Sequence, residues 1–298
     1  MNINPVRILA QIPQWAGVQN LQVEPIGGLT NSNYLVTVAG ERFVLRVNGE
    51  NSKLLEINRM VEFEALKIAE QAGIGAKVEH FILPEGHLLT RFIAGRHWSA
   101  AEYRQPENLC RIAATVKRIH AFPPIMGTFS PFRRVESYTA KARGFGVPFP
   151  ADFDVFQQQM RQIESSQQQD GSSWLRFCHN DLFSVNFLDD GQVRVVDWEF
   201  AGMGDIYFDL AALVYAYDSD GPLPADLEEF LLESYFGTVQ PVQRERLAGM
   251  KFMLLFFTAM WGLMQHGAQM HAIIPFIEDF DCLDYARGTF DSLRANFS

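Results

Sequence analysis

Cysteine is scarce in this chain. Cys110, Cys178 and Cys282 are the only three among 298 residues, and their wide spacing is neither that of a disulfide framework nor that of a zinc site. Basic residues are also in the minority, because 25 Lys and Arg face 35 Asp and Glu, for a formal net charge of −10. This balance disfavours a nucleic-acid binder and suits a cationic small-molecule ligand.

Long apolar runs are lacking as well. The N-terminal sequence MNINPVRILAQIPQW has no continuous apolar core of the length that a secretory signal requires, so we expect no export. The most apolar stretch, Phe252 to Met264, is shorter than the ~20 residues that cross a bilayer and is interpreted as a buried helix. These absences predict a cytoplasmic protein without membrane insertion, and they leave its oligomeric state open.

The length predicts two lobes, at about 150 residues per domain. In residues 1–95, two β-branched runs flank Gly40 as in a hairpin, a helical pattern begins at Asn58, and Pro84-Glu85-Gly86 separates two further strands. Residues 96–298 carry mainly helical patterns. We therefore predict a two-lobed α+β fold, with a small antiparallel sheet and one helix followed by a larger, mainly helical lobe.

The most informative run is FCHNDLFSVNFL followed by VRVVDWEF. Asp190-Gly191 lies between two apolar runs, which is typical of a two-residue hairpin turn. In that register Asn186 faces Val195, so Asn186 and Asp197 are expected at the same open end of the hairpin.

This run has the residues that phosphoryl transfer requires. An amide oxygen from Asn186 and a carboxylate from Asp197 form a hard site for Mg²⁺, and Asp181 can accept a hydroxyl proton. Glu199 is interpreted as a further metal contact, as support for the metal site or as a solvated residue. The alternative for the whole run is that its polar side chains cap local backbone groups.

A glycine turn precedes the first hairpin. Its small and polar residues are candidates for binding phosphates through backbone N–H groups: Gly27, Gly28, Thr30 and Asn31. Arg46 lies inside an apolar strand, where a lone cation requires an anion. Glu62, on the following helix, is the expected partner, with Glu56 and Glu64 as competitors; alternatively, Arg46 lies on an exposed edge.

Nearly the whole chain resembles the choline/ethanolamine kinase family, within the aminoglycoside-phosphotransferase-like branch of the protein-kinase fold. The resemblance is carried by IGGLTNSNYLV, FVLRVNG, FCHNDLFSVNFL, VVDWEFAGMGDIYFDLA, MWGLMQHGA and FDCLDYARGTFD. It implies that ATP and Mg²⁺ are the cofactors. By this resemblance Asp181 is the catalytic base, Asn186 and Asp197 are magnesium ligands, and Arg46 contacts an ATP phosphate, while the adenine is expected near Phe92.

The resemblance also implies an aromatic pocket for a small cationic alcohol. Trp261 and Tyr285 would line it, and Met264 stands where the family has a second tryptophan. A cation over aromatic rings is stabilised by up to ~2 kcal/mol when desolvated, which would favour a quaternary ammonium group. The alternative for Trp261 and Met264 is ordinary core packing.

Several other polar residues are interpreted as structural. Asp205 and Asp209 are expected to cap a helix or to brace the catalytic loop, and His120 is expected to be a packing residue. The acidic run is interpreted as a solvated face: Glu278, Asp279, Asp281 and Asp284.

We therefore predict an ATP-dependent kinase for choline or a similar small amino alcohol. The alternatives are a kinase for another alcohol, such as thiamine or an aminoglycoside, and a non-catalytic nucleotide-binding protein.

Overall fold

The computed structural model describes residues 4–18, 20–28, 30–49, 51–169, 173–216, 221–277 and 280–297. Glu278 and Asp279 of the acidic run lie outside these ranges, and Asp281 and Asp284 are exposed. The chain divides into two compact units, one of residues 1–98 with 185–200 and one of residues 99–184 with 201–298. The segment that carries Asn186 and Asp197 thus belongs to the first unit, whereas the boundary predicted from the sequence, at residue 95, placed this segment in the second lobe.

The strands are β1 Gln22–Gly27, β2 Asn31–Val38, β3 Glu41–Asn48, β4 Val78–Ile82, β5 His87–Arg91, β6 Leu175–Cys178, β7 Phe187–Asp189, β8 Val193–Val195 and β9 Gly202–Asp205. The helices are α1 Pro5–Leu9, α2 Asn51–Leu54, α3 Arg59–Gln71, α4 Ala100–Tyr103, α5 Pro106–Ile119, α6 Pro131–Gly144, α7 Phe153–Gln169, α8 Ile206–Val214, α9 Ala225–Phe236, α10 Pro241–Met270 and α11 Cys282–Phe297. A 3₁₀ turn covers Ser184–Asn186.

The first unit contains a five-stranded antiparallel sheet with the order β1-β2-β3-β5-β4. The hairpin predicted around Gly40 is confirmed: β2 and β3 pair from Val38 and Glu41 outward. Ala39 and Gly40 have φ values of 49° and 81°, as expected for the two central residues of a tight hairpin turn.

Helix α3 brings a charged residue to the sheet. The Asn58 side chain accepts hydrogen bonds from the backbone N–H groups of Met60 and Val61, which confirms the predicted helix start. Glu62 shares the buried face of α3 with Ala65 and two other apolar residues and is itself 1% exposed. A buried carboxylate in this position requires a cationic partner.

The β7–β8 hairpin differs from the predicted register. Phe187 pairs with Val195 and Asp189 pairs with Val193, so the loop has three residues rather than two, and the predicted pairing of Asn186 with Val195 is wrong. The side chain of Asp189 accepts a hydrogen bond from the Gly191 N–H at 3.0 Å, which stabilises this wider loop.

The second unit is mainly helical. Its longest helix is α10, with 30 residues, and its most apolar 18-residue window has a mean hydropathy of 1.6. By length and composition it is the one helix among the described residues that could cross a membrane. However, 78% of that window is buried within the protein, which supports the predicted core helix, although the helix is longer than the sequence indicated.

The three cysteines are free thiols in different surroundings. Cys110 is exposed, whereas Cys178 and Cys282 are buried. Burial raises the pKa of Cys178 well above its ordinary value and raises the pKa of Cys282 to about 11. The two buried thiols therefore stay protonated near neutral pH.

Candidate functional site

The first unit contains the expected ion pair between β3 and α3. Arg46 is 7% exposed, and its Nη1 atom forms an ion pair with the Glu62 carboxylate. Burial alone would lower the pKa of Arg46, but Glu62 raises it above the ordinary value; burial alone would raise the pKa of Glu62, but Arg46 lowers it. Both groups are therefore charged at neutral pH, and the alternative of an exposed Arg46 is wrong.

Arg46 also lies beside Asp197. Its Nη1 atom is 3.7 Å from the Oδ1 atom of Asp197, whose side chain is 36% exposed. Asp197 has a φ of 63°, a conformation that non-glycine residues adopt rarely and that often occurs at functional sites. The next residue, Trp198, is fully buried and donates from Nε1 to the Val195 carbonyl at 3.0 Å, which anchors this conformation.

Asn186 lies at the same end of the β7–β8 hairpin. Its carbonyl accepts a hydrogen bond from the Val196 N–H at 3.0 Å, so Asn186 is joined to the residue immediately before Asp197. The expected placement at one open end is thus present despite the different register. An amide oxygen and a partly exposed carboxylate are hard donors that fit Mg²⁺.

Glu199 joins three parts of the first unit. Its carboxylate accepts hydrogen bonds from Thr30 Oγ1 at 2.9 Å, from Asn31 Nδ2 at 2.8 Å and from Arg59 Nη1 at 2.9 Å. Glu199 is 5% exposed, so its interpretation as a solvated residue is wrong. Thr30 and Asn31, predicted as phosphate-binding residues, use their side chains to attach the glycine turn to Glu199.

Sequence reasoning missed Arg59. Its guanidinium binds Glu199 and also pairs with Glu62 at 2.8 Å, donates to Asn31 Oδ1 at 3.1 Å and donates to Ser52 Oγ at 2.7 Å. The spacing of Arg59 and Glu62 along α3 is a favourable i,i+3 pairing, and this was the available signal. Arg59 therefore links the Arg46–Glu62 pair to the glycine turn.

The glycine turn depends on Gly28. A Cβ atom at this position would lie 2.1 Å from the Asn31 carbonyl oxygen, and φ is +137°. Gly27 also has a positive φ, of +87°, but a Cβ atom there would meet nothing within 4 Å. The close approach of backbone to backbone thus requires glycine at position 28.

Phe92 follows β5 in the first unit. It lines an open cavity of about 430 Å³ together with Ile93, Ala94 and residues of the α3–β4 turn. The Arg42 guanidinium lies 4.2 Å from the centre of the Phe92 ring. A contact between Phe92 and an adenine stays a prediction.

The second unit contains Asp181 and the residues that hold its loop. Asp209, at the start of α8, accepts the backbone N–H of His179 at 2.9 Å and that of Asn180 at 2.6 Å, and Asp181 follows at once. The expected brace by Asp209 is therefore present. His120 is not a simple packing residue, because its Nε2 atom is 3.0 Å from the Asp209 carboxylate.

Three aromatic rings meet where α10 faces the start of α11. The Trp261 ring lies 6.1 Å from that of Tyr285 at an interplanar angle of 90° and 6.1 Å from that of Phe280, and Phe280 lies 5.1 Å from Tyr285. All three are half-buried. Phe280 was missed, although it belongs to the FDCLDYARG run. Met264, predicted as an apolar wall of this pocket, is fully buried and belongs to the core, because its side chain exposes no surface.

Comparisons with known proteins identify the family of this chain. Residues 22–245 match the model of the family described as the phosphotransferase enzyme family. Protein LicA of Haemophilus influenzae is 31% identical over 221 residues, which are 70% of this chain and 61% of LicA, so the match spans about three-fifths of that relative.

Solved structures resemble nearly the whole chain. A choline/ethanolamine kinase family protein from Mesorhizobium loti is 28% identical with a TM-score of 0.78, and the match covers 98% of this chain and 93% of that protein. A structure of LicA in complex with AMP is 20% identical with a TM-score of 0.75, and the match covers 97% and 98%.

The fold, with its five-stranded sheet, its strand–helix ion pair and its mainly helical second unit, is protein-kinase-like. More particularly, the chain belongs to the phosphotransferase enzyme family, whose model matches most of its length.

Proposed function

We propose that this protein transfers the γ-phosphoryl group of ATP to the hydroxyl group of choline or a similar small amino alcohol. The observation that carries the choice of substrate is the group of three rings formed by Trp261, Phe280 and Tyr285. Aromatic faces attract a quaternary ammonium group, and the acidic chain adds a favourable long-range field for a cation. The similarity to a choline/ethanolamine kinase family protein supports the same substrate class.

Arg46 supports the nucleotide part of the proposal. Its Nη2 atom is buried and has no hydrogen-bond partner among the described residues, although Nη1 and Nε are bonded. A buried guanidinium N–H without a partner costs free energy unless an anion binds to it. A phosphate oxygen of ATP would satisfy it, and the AMP complex of a LicA structure supports a nucleotide ligand.

In the proposed reaction, Asp181 orients the hydroxyl group of the alcohol and accepts its proton as the alcohol oxygen bonds to the γ-phosphorus of ATP. The bond from the γ-phosphorus to the bridging oxygen breaks in the same step, and ADP leaves. Arg46 offsets negative charge on the phosphates. Asn186 and Asp197 would hold Mg²⁺, which, when bound, neutralises charge on the phosphate oxygens. Glu199 keeps the segment that contains Asp197 attached to the glycine turn. Catalysis would thus consist mainly of positioning and electrostatic stabilisation.

The proposal is tested with a panel of alcohols. ADP release is measured with ATP and Mg²⁺ in the presence of choline, ethanolamine, thiamine or an aminoglycoside, and kcat/KM values are compared. We expect the highest kcat/KM for choline or ethanolamine. Higher values for thiamine or an aminoglycoside would contradict the choice of substrate, and no stimulation by any alcohol would indicate a non-catalytic nucleotide-binding protein.

Asp181→Asn tests the mechanism. It keeps the size of the side chain but removes its basicity, so kcat should fall by about 10²–10⁴-fold. The affinity for ATP, measured directly by calorimetry, should change little because Asp181 acts on the alcohol. A kcat near that of the wild type would exclude Asp181 as the base.

A further inference from the structure

Three buried polar side chains form a hydrogen-bonded series that ends at the loop that contains Asp181. The Tyr235 hydroxyl is 2.6 Å from His120 Nδ1, and His120 Nε2 is 3.0 Å from Asp209 Oδ2. The exposed fractions are 6% for Tyr235, 4% for His120 and 0% for Asp209. These groups come from α9, from the end of α5 and from α8, so the hydrogen-bonded series joins three helices of the second unit.

The directions of these hydrogen bonds follow from the chemistry of the groups. The Asp209 carboxylate already accepts two backbone N–H groups, and it can only accept a third hydrogen bond. His120 Nε2 therefore carries a proton and donates it to Asp209, and in this tautomer of the ring Nδ1 accepts from the Tyr235 hydroxyl. Each partner fixes the tautomer and the ring orientation of His120, as outer partners do for a histidine that binds a metal.

The cluster of His120, Cys178 and Asp209 has ligand types that also bind metal ions, and its ligand atoms lie within 4.8 Å of one another. Hydrogen bonds explain the arrangement better. The Cys178 thiol donates to the Gly204 carbonyl at 3.4 Å, and burial keeps this thiol protonated, whereas a metal ion requires the thiolate.

The held loop has a backbone conformation that needs support. Asn180 has a φ of 65°, in the left-handed region, and a Cβ atom on the facing Gly204 would lie 2.6 Å from its Oδ1 atom. The two N–H groups that Asp209 accepts are those of Asn180 and of the residue before it. Rotation of the Asp209 carboxylate would release both and allow the loop to relax.

We propose that His120 and Tyr235 are positioning residues that act through Asp209 to fix the backbone immediately before Asp181. This inference rests on the proposed function, because it assumes that Asp181 is the base. Hydrogen bonds connect Tyr235 with His120 and His120 with Asp209, and the loop N–H groups donate to Asp209. Loss of one outer link disturbs the orientation of Asp181 without altering any contact with ATP or the alcohol.

The kinetic test uses three variants. Tyr235→Phe and His120→Leu should lower kcat by about 10–100-fold, the usual effect of removing an outer partner, and leave both KM values within about 2-fold of wild type. His120→Gln, which keeps an N–H near the Nε2 position, should show an intermediate kcat. Tyr215→Phe is the matched control, because the Tyr215 hydroxyl is also buried but has no partner among the described residues, and its kcat should not change.

Hydrogen exchange provides a second test that needs no turnover. In Tyr235→Phe, amide exchange of the peptide that contains residues 178–181 should accelerate, whereas peptides of α10 should exchange as in the wild type. This test remains valid if the wild type phosphorylates no alcohol on the panel, so the two proposals fail separately.

Three results would overturn the inference. One is a kcat of Tyr235→Phe equal to that of Tyr215→Phe, with unchanged exchange at residues 178–181. Another is a rise in KM that accounts for the whole loss in kcat/KM. The third is stoichiometric zinc in the purified wild type that is absent from His120→Leu, because the cluster would then be a metal site. If His120→Leu does not fold, Tyr235→Phe alone is sufficient to test for the first two results.

Discussion

The guanidinium group of Arg59 binds the carboxylate of Glu199 at 2.9 Å, although the two residues are 140 positions apart in the sequence. Their side chains are 12% and 2% exposed. Glu199 also holds Thr30 and Asn31, and Arg59 also holds Glu62. The pair therefore connects the glycine turn to the Asp197-Trp198-Glu199 segment within the first unit.

Removal of either partner should destabilise the protein. Arg59→Met leaves two buried carboxylates with one donor fewer, and loss of one partner of a buried ion pair costs roughly 3–5 kcal/mol. The free energy of unfolding is measured in urea for Arg59→Met, Glu199→Gln and the double variant, and the coupling energy should be about 0.5–3 kcal/mol. Arg287→Met, which removes an exposed ion pair with Asp284, is the control and should change little. Additive effects of the first two changes would contradict a direct link.

Gly28→Ala should weaken nucleotide binding more than Gly27→Ala. Both positions have positive φ values, which cost other residues roughly 1–2 kcal/mol, but only at position 28 does the added Cβ atom meet the Asn31 backbone. We expect the Kd for ATP to rise by about 10-fold or more in Gly28→Ala, because 1.4 kcal/mol corresponds to tenfold. Calorimetry with ATP and Mg²⁺ measures this, and equal Kd values for both variants would show that the clash is not important.

The Arg46–Glu62 pair should contribute a pH-dependent part of the stability. Arg46 lowers the pKa of Glu62 below its ordinary value of 4.5, so the folded protein takes up this proton at lower pH than the unfolded chain. The contribution is complete above about pH 5 and is lost as the pH falls through 4.5 towards the pKa of the folded state. The free energy of unfolding in urea is measured for the wild type and for Glu62→Gln at each pH. The difference between the two values removes the effect of the other acidic groups. A stability difference that does not shrink below pH 4.5 would contradict the lowered pKa.

Phe280→Leu should raise the KM for choline and leave the KM for ATP unchanged. Leucine keeps the apolar volume but removes the aromatic face, and a desolvated cation–π contact of ~2 kcal/mol corresponds to about 30-fold. The neutral carbon isostere of choline should not distinguish the variant from the wild type. Phe276→Leu is the control, because Phe276 is 69% exposed and is absent from the ring group. Equal changes for choline and its isostere would indicate lost packing instead.

The sequence was informative where one physical requirement left few solutions. A lone arginine in an apolar strand requires an anion, which predicted the Arg46–Glu62 pair. The predicted ends of the strands followed from turn residues, and the predicted start of α3 followed from the helical spacing of apolar residues that begins at Asn58. Loop length was predicted less well, because Asp190-Gly191 fits a two-residue turn, and the capping of Gly191 by the Asp189 side chain depends on three-dimensional contacts.

Residues that act through distant partners were missed. Arg59 was not singled out in the sequence, because its contacts with Asn31 and Glu199 join segments that are far apart along the chain. Phe280 belongs to the FDCLDYARGTFD motif, but the sequence predicts no neighbour for it, and its contact with Trp261 is visible only in the folded structure. The role of Asp181 remains a prediction that the Asp181→Asn variant tests, and the roles of Asn186 and Asp197 as metal ligands also remain predictions.

The unequal surroundings of the three thiols have a practical consequence. Cys110 is exposed on α5, whereas the other two thiols are buried and protonated. A maleimide reagent at neutral pH should therefore attach to one position of the native wild-type protein. A fluorescent or spin label can therefore be attached at Cys110 without any engineered cysteine.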